Sequence, residues 1–206
     1  MSSIKPIRDP KTDALLTPEN CALTIIDFQP TQIHSINSVK PGLLIKNIVT
    51  VAHTAKVYGL PIVLSTVNVA TKRNQETISP LKEALEGVPS YDRTSINAWE
   101  DAEYYEAVKA TGRRKLVICA LWTEACLTFP TLDALREGYD VYPVIDAVGG
   151  TSLEAHDTAL RRLEQAGARL ITVPQLICEL QRDWDRGETV PGFLDLMFES
   201  GAFVRL

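Results

Sequence analysis

The sequence is poor in the residues on which most metal, redox and cofactor sites depend. It holds three histidines, His34, His53 and His156, all far apart, and none has zinc-ligand spacing to another. Four cysteines are present, Cys21, Cys119, Cys126 and Cys178, without a C-x-x-C pair, so dithiol and zinc-ribbon chemistry lack their framework. A dinucleotide site needs a glycine-rich turn after the first strand; Asp27-Phe-Gln-Pro30 supplies none. An adjacent acidic pair of the kind a phospho-receiver uses for Mg²⁺ is missing as well. No protein-bound metal and no cofactor is therefore expected.

Other absences narrow the partners. No apolar run is long enough to span a bilayer, and residues 1–20 are polar, contain proline and lack the apolar core of a secretory signal. A cytoplasmic protein with reduced cysteines and no membrane association is the expectation. The net charge of −5 is spread along the chain with no Lys/Arg stripe, so no nucleic-acid partner is expected.

What is present is a regular alternation. CALTIID (21–27) is β-branched and continuously apolar up to its acid, as a strand buried on both faces should be. Further strands are read at 61–67, near Tyr91 and Asp92, at 115–120, 139–145 and 168–173. Helices are read at 41–58, 79–85, 101–110, 122–136, 152–166 and 174–184, several opened by proline or closed by glycine. Strands alternating with helices through short linkers predict an α/β fold, a single doubly wound, Rossmann-like sandwich with about six parallel strands. Residues 1–19 read as an N-terminal arm and 20–186 as the domain. Residues 187–206 read as an apolar tail that packs on the domain or on a neighbouring subunit.

In open α/β sheets the site lies beyond the carboxyl ends of the strands. Asp27, Asn68, Arg93, Thr123, Glu124, Cys126 and Asp146 occupy those ends. Cys126 falls in the first turn after the fourth long strand, where unpaired N–H groups favour a thiolate and an oxyanion. Free cysteines are commonly small buried residues, and Cys21, Cys119 and Cys178, in apolar surroundings, are read that way. Asp27 closes a buried strand and is read as a general base. Arg93, always charged, would keep it ionised and orient substrate. His34, in the loop after Asp27, is a pocket candidate; His53 and His156 fall within helices and read as surface or packing residues.

These residues resemble the isochorismatase-like cysteine hydrolases, and among them the YcaC-type branch. The resemblance spans about residues 20–184. It rests on LTIIDFQ (23–29), LPIVLST (60–66), INAW (96–99), KATG (109–112), WTEAC (122–126), Phe129-Pro130, EGYDV (137–141), Asp146-Ala147, QAGA (165–168) and CELQRDW (178–184). The resemblance implies a triad of Asp27, Arg93 and Cys126, with arginine where the wider family usually carries lysine. It implies a cis peptide at Trp122–Thr123, backbone donors for an oxyanion around Trp122, Thr123 and Ala125, and a homo-oligomer, octameric in this branch. The Asp-x-His metal site of nicotinamidase relatives has no counterpart in NVA (68–70). The expected function is hydrolysis of a small amide-type substrate through a thioester, with Gln29, His34, Asn68, Asn97 and Trp99 as pocket candidates. The rival is a binding protein that keeps the site without turnover.

Overall fold

The structure, a computed structural model, describes residues 8–204; the first seven residues of the expected arm and the last two of the expected tail lie outside the described residues. Five parallel strands form one sheet: β1 (Cys21–Ile26), β2 (Ile62–Val67), β3 (Ser90–Arg93), β4 (Lys115–Ala120) and β5 (Asp140–Pro143), in the order β3-β2-β1-β4-β5. Every residue of β1 and β4 is buried, as parallel strands covered by helices on both faces require. About six strands were expected. The sixth segment pairs with β5 through Arg169 N to Val141 O (2.9 Å), Ile171 N to Pro143 O (3.0 Å) and Ile145 N to Ile171 O (2.8 Å), leaving one isolated bridge, Val144 to Ile171. Pro143 has no N–H to extend that ladder, and Pro174 ends the segment soon after.

Helices flank the sheet. On one side α2 (Pro41–Val57) packs with α3 (Ser79–Ala84), α7 (Val173–Gln181) and α8 (Val190–Ser200). The other group contains α4 (Ala102–Ala110), which packs against β2, together with α5 (Thr128–Arg136) and α6 (Leu153–Gln165), which pack on each other. Proline opens α2 within its first turn, and Gly59 at φ +65° lets the chain turn back after it. Residues 190–200 form α8, which buries Phe193, Leu196 and Met197. Polar contacts tie it to α2: Thr50 Oγ1 donates to Glu199 (3.0 Å), His53 Nδ1 lies 3.0 Å from the same carboxylate, and Lys46 Nζ donates to Ser200 O (2.8 Å). No helix among the described residues is long and apolar enough to cross a membrane.

Two segments differ from the sequence reading in ways that shape the site. Residues 30–34, read as loop, form the short helix α1 (Pro30–His34). The single helix expected at 122–136 is divided into a π-helical turn, Thr123–Leu127, and α5. Pro130 has no N–H to give to the carbonyl of Cys126, so an unbroken α-helical ladder cannot run through that turn. The non-proline cis peptide is Leu121–Trp122, one bond earlier than expected.

Candidate active site

The strand order changes direction between β1 and β4, and the chain segments beyond those two strands carry Asp27 and Cys126. Asp27 sits just past β1 with φ +63°, a left-handed conformation that Asp tolerates better than most residues. Its N–H donates to Ser65 O on β2 (3.0 Å) and its carbonyl accepts from Gln29 N (2.8 Å), so the side chain is aimed by the sheet and by the tight turn that follows it.

Arg93 ends β3, two strands from β1, and reaches across β2. Its Nη1 donates to Asp27 Oδ1 and its Nη2 to Asp27 Oδ2, both at 2.7 Å. Nη1 also meets Ser65 Oγ (3.1 Å) and Thr66 O (3.0 Å), and Nη2 meets Ile96 O (3.2 Å). Neither side chain of the pair is exposed. Burial alone would make the guanidinium easier to deprotonate, but the hydrogen bonds and charge of Asp27 outweigh it and move its pKa upward. Tyr104, fully buried in α4, bonds Thr24 Oγ1 at 2.7 Å and lies within electrostatic reach of both charges; burial raises its phenol.

The Cys126 thiol, 7% exposed, lies against the Asp27 carboxylate. Burial pushes its pKa well up, and the charge and hydrogen-bond acceptance of Asp27 push the same way. Arg93 and the Trp122 backbone N–H act against them. Burial and the neighbouring carboxylate thus both favour the protonated thiol. The expectation that the helix start by itself favours a thiolate is corrected: desolvation in this nearly closed site is the larger effect.

The turn also revises the oxyanion donors. Thr123 N donates to Gly149 O (2.9 Å) and Ala125 N to Trp122 O (3.2 Å), so both amides are engaged within the fold. The Trp122 N–H instead points at the sulfur, and the Trp122 indole donates to Ser35 Oγ at the end of α1 (2.6 Å).

The other expected residues are placed as follows. Gln29 is fully buried and uses its amide as a clamp, donating to Val67 O (3.0 Å) and Gln75 O (2.6 Å) and accepting from Val67 N (2.9 Å). Asn68, at φ +64°, accepts from Thr71 Oγ1 (3.1 Å) and turns the chain after β2. Asn97 caps the turn before α4 and donates to Asp133 (2.8 Å), while Trp99 donates to Glu137 (2.9 Å) among Tyr104, Tyr105 and Tyr139. Gln29, Asn97 and Trp99 thus hold their polar atoms against the fold. His34 is exposed at the end of α1. Cys178, read as buried, is exposed, whereas Cys21 and Cys119 are buried. Among the described residues no group of three or more His, Cys, Asp or Glu side chains is arranged to hold a metal ion.

Sequence reading missed Ser65, Tyr104 and His156, whose Nδ1 lies 2.8 Å from Thr123 Oγ1. Ser65 carried a faint signal as a polar residue in an apolar strand. The other two carried none, because helical residues are brought to the site only by packing.

Residues 21–175 match the isochorismatase domain. The chain belongs to the isochorismatase family. A probable hydrolase, YcaC of Escherichia coli, is 35% identical over 170 residues, covering 82% of this chain and 81% of the relative. The crystal structure of the E. coli YcaC gene product, described as an octameric hydrolase of unknown specificity, superposes with a TM-score of 0.81 at 31% identity, over 94% of this chain and all of that one. YcaC from Pseudomonas aeruginosa, solved with hexane-2,5-diol and covalent acrylamide, gives 0.81 at 32% identity, over 92% and 98%. The chain is thus an isochorismatase-family hydrolase of the YcaC-like branch, and its parallel sheet flanked by helices is the fold of those relatives.

Proposed function

We propose that the protein cleaves the C–N bond of a small amide-type substrate, with Cys126 as nucleophile, Asp27 as general base and Arg93 as the fixed cation. The observation that carries this reading is the thiol of Cys126 set against a carboxylate that is itself clamped by a buried guanidinium fork. Asp27 takes the thiol proton as sulfur attacks the carbonyl carbon. The oxyanion is met by the Cys126 N–H, within the first turn of the helical segment that Thr123 opens, while the Trp122 N–H steadies the sulfur. Collapse of the tetrahedral intermediate breaks the C–N bond, and Asp27 returns the proton to the departing amine. Water then hydrolyses the thioester, releasing the acid and restoring the thiol. Arg93 cannot give up a proton, so it acts through charge and orientation alone. The near-complete burial of the three residues favours a compact substrate.

Covalent acrylamide in the P. aeruginosa relative fits a reactive nucleophile in this fold, since acrylamide is an electrophile at its C=C bond. Labelling with iodoacetamide at neutral pH, followed by intact mass and peptide mapping, tests the reading. Cys126 is expected to react faster than the exposed Cys178. Equal or slower reaction removes the activated nucleophile. A screen of small amides with a Cys126→Ala control separates turnover from binding: signal retained by the variant rules out Cys126 chemistry, and binding without turnover favours a silent site.

The E. coli relative is octameric, and a homo-oligomer is proposed for this chain. Light scattering coupled to size exclusion is expected to give a mass of several protomers of 22.8 kDa; a clean monomer overturns the proposal.

A further inference from the structure

Thr123 opens the turn that carries Cys126, and every polar atom it has is held. Its N–H donates to Gly149 O (2.9 Å), its carbonyl accepts from Thr128 Oγ1 (2.6 Å), and its hydroxyl, in a residue with no exposure, lies 2.8 Å from His156 Nδ1. His156 stands in the first turn of α6, which Ser152 caps through Ala155 N (3.1 Å). Glu124 closes the same cluster. Its Oε1 accepts from Thr151 N (3.0 Å) and Thr151 Oγ1 (2.6 Å), and its Oε2 is buried with no hydrogen-bond partner among the described residues.

We propose that His156 is a positioning residue for Cys126, its Nδ1 accepting a hydrogen bond from the Thr123 hydroxyl and so fixing the turn that aims the sulfur and the Trp122 N–H. This rests on Cys126 being the nucleophile. Burial holds the imidazole below the ordinary histidine range, against Asp157 on its own helix and Glu124 on the turn, which both favour the cation. The fold thus selects the neutral ring at neutral pH. Protonation puts a hydrogen on Nδ1 facing the Thr123 hydroxyl. That hydroxyl must then turn its own hydrogen into a closed site, and a buried donor without an acceptor is costly. The lock on the turn is therefore expected to fail as pH falls through the histidine pKa, with the Glu124 carboxylate beside the new charge.

Acrylamide serves as the probe, because its addition to Cys126 is read by mass without knowledge of the substrate. Wild type, His156→Ala and His156→Asn are compared between about pH 5 and 8, with circular dichroism reporting folding. Alanine is expected to slow Cys126 labelling about tenfold or more, toward the roughly hundredfold that a 1 Å misplacement of a reacting group can cost. Asparagine, whose amide takes the place of Nδ1, is expected to recover most of the rate while losing the wild type's fall on the acid side. Labelling of wild-type Cys126 no faster than Cys178 overturns the nucleophile reading itself. Rapid wild-type labelling with an unchanged alanine variant overturns the histidine's role alone. Should the alanine variant not fold, asparagine decides: a wild-type rate with the acid-side fall intact excludes His156.

Discussion

Arg93 and Asp27 meet fork to fork, Nη1 and Nη2 each 2.7 Å from its own carboxylate oxygen, with neither side chain exposed. Such a pair is costly to break from one side, because the survivor remains as a buried charge; about 3–5 kcal/mol is typical. Arg93→Ala is therefore expected to lose that order of stability in urea unfolding. Arg93→Lys should fall between it and the wild type, since one ammonium cannot span both Asp27 oxygens, Ser65 Oγ and the Ile96 carbonyl together. An alanine variant as stable as wild type would show that the fork contributes orientation without stability.

Asp27→Asn separates two effects of opposite sign on Cys126. The carboxylate charge raises the thiol pKa, so its removal alone should release thiolate and speed alkylation. If Asp27 is the acceptor of the thiol proton, its removal should slow alkylation instead. The expected outcome at neutral pH is a loss of about tenfold or more, with the residual rate climbing only in the alkaline range, where a buried thiol ionises by itself. Faster labelling would reduce Asp27 to a source of charge.

Much of this site was legible in the sequence because strand ends are legible. CALTIID and KLVICA are apolar runs whose ends locate Asp27 and the turn of Cys126, and an open parallel sheet brings such ends together. The identity of the partners around them was not legible. Gln29, Asn97 and Trp99 are polar or amphipathic residues close to those ends, yet each is turned into the fold by contacts that only packing determines. His156 lies thirty residues beyond Cys126 in a helix with an ordinary amphipathic pattern, and it reaches the turn because α6 packs on it. The sixth strand and the continuous helix at 122–136 were over-read for one reason: a proline, Pro143 or Pro130, lies inside a pattern that otherwise continues.

The loop after β2 is tied to β3 by Asp92, whose carboxylate accepts from Val69 N (3.0 Å), Ala70 N (2.8 Å) and Thr66 Oγ1 (3.0 Å). Burial pushes its pKa up, but the two backbone donors, the threonine and Arg93 together bring it below the ordinary carboxylate value. The unfolded chain therefore takes up this proton first as pH falls. The stabilisation is present at neutral pH, begins to fade through the ordinary carboxylate range near pH 4, and is lost as pH passes the lowered value. Asp92→Asn is expected to cost about 1–2 kcal/mol at neutral pH, and its deficit against wild type should shrink in acid. A deficit that stays constant from neutral to acid pH would assign the loss to shape and not to charge.

Gly150 is a tight point behind the Cys126 turn. A Cβ there would come within 2.8 Å of Glu124 Oε2 and 3.0 Å of both the Cβ and the backbone nitrogen of His156. The backbone nitrogen of α6 cannot move aside as a flexible side chain would, so the strain must pass to the Glu124 side chain and the turn. Gly150→Ala is expected to lose about 1–3 kcal/mol in thermal or urea unfolding and to slow Cys126 alkylation although it touches neither Asp27 nor Arg93. Gly42→Ala is the contrast: it lies in the first turn of α2 with nothing within 4 Å of its Cβ, and should be neutral or stabilising by about 0.5–1 kcal/mol. A Gly150 variant that loses stability but labels Cys126 at the wild-type rate would uncouple this cluster from the nucleophile.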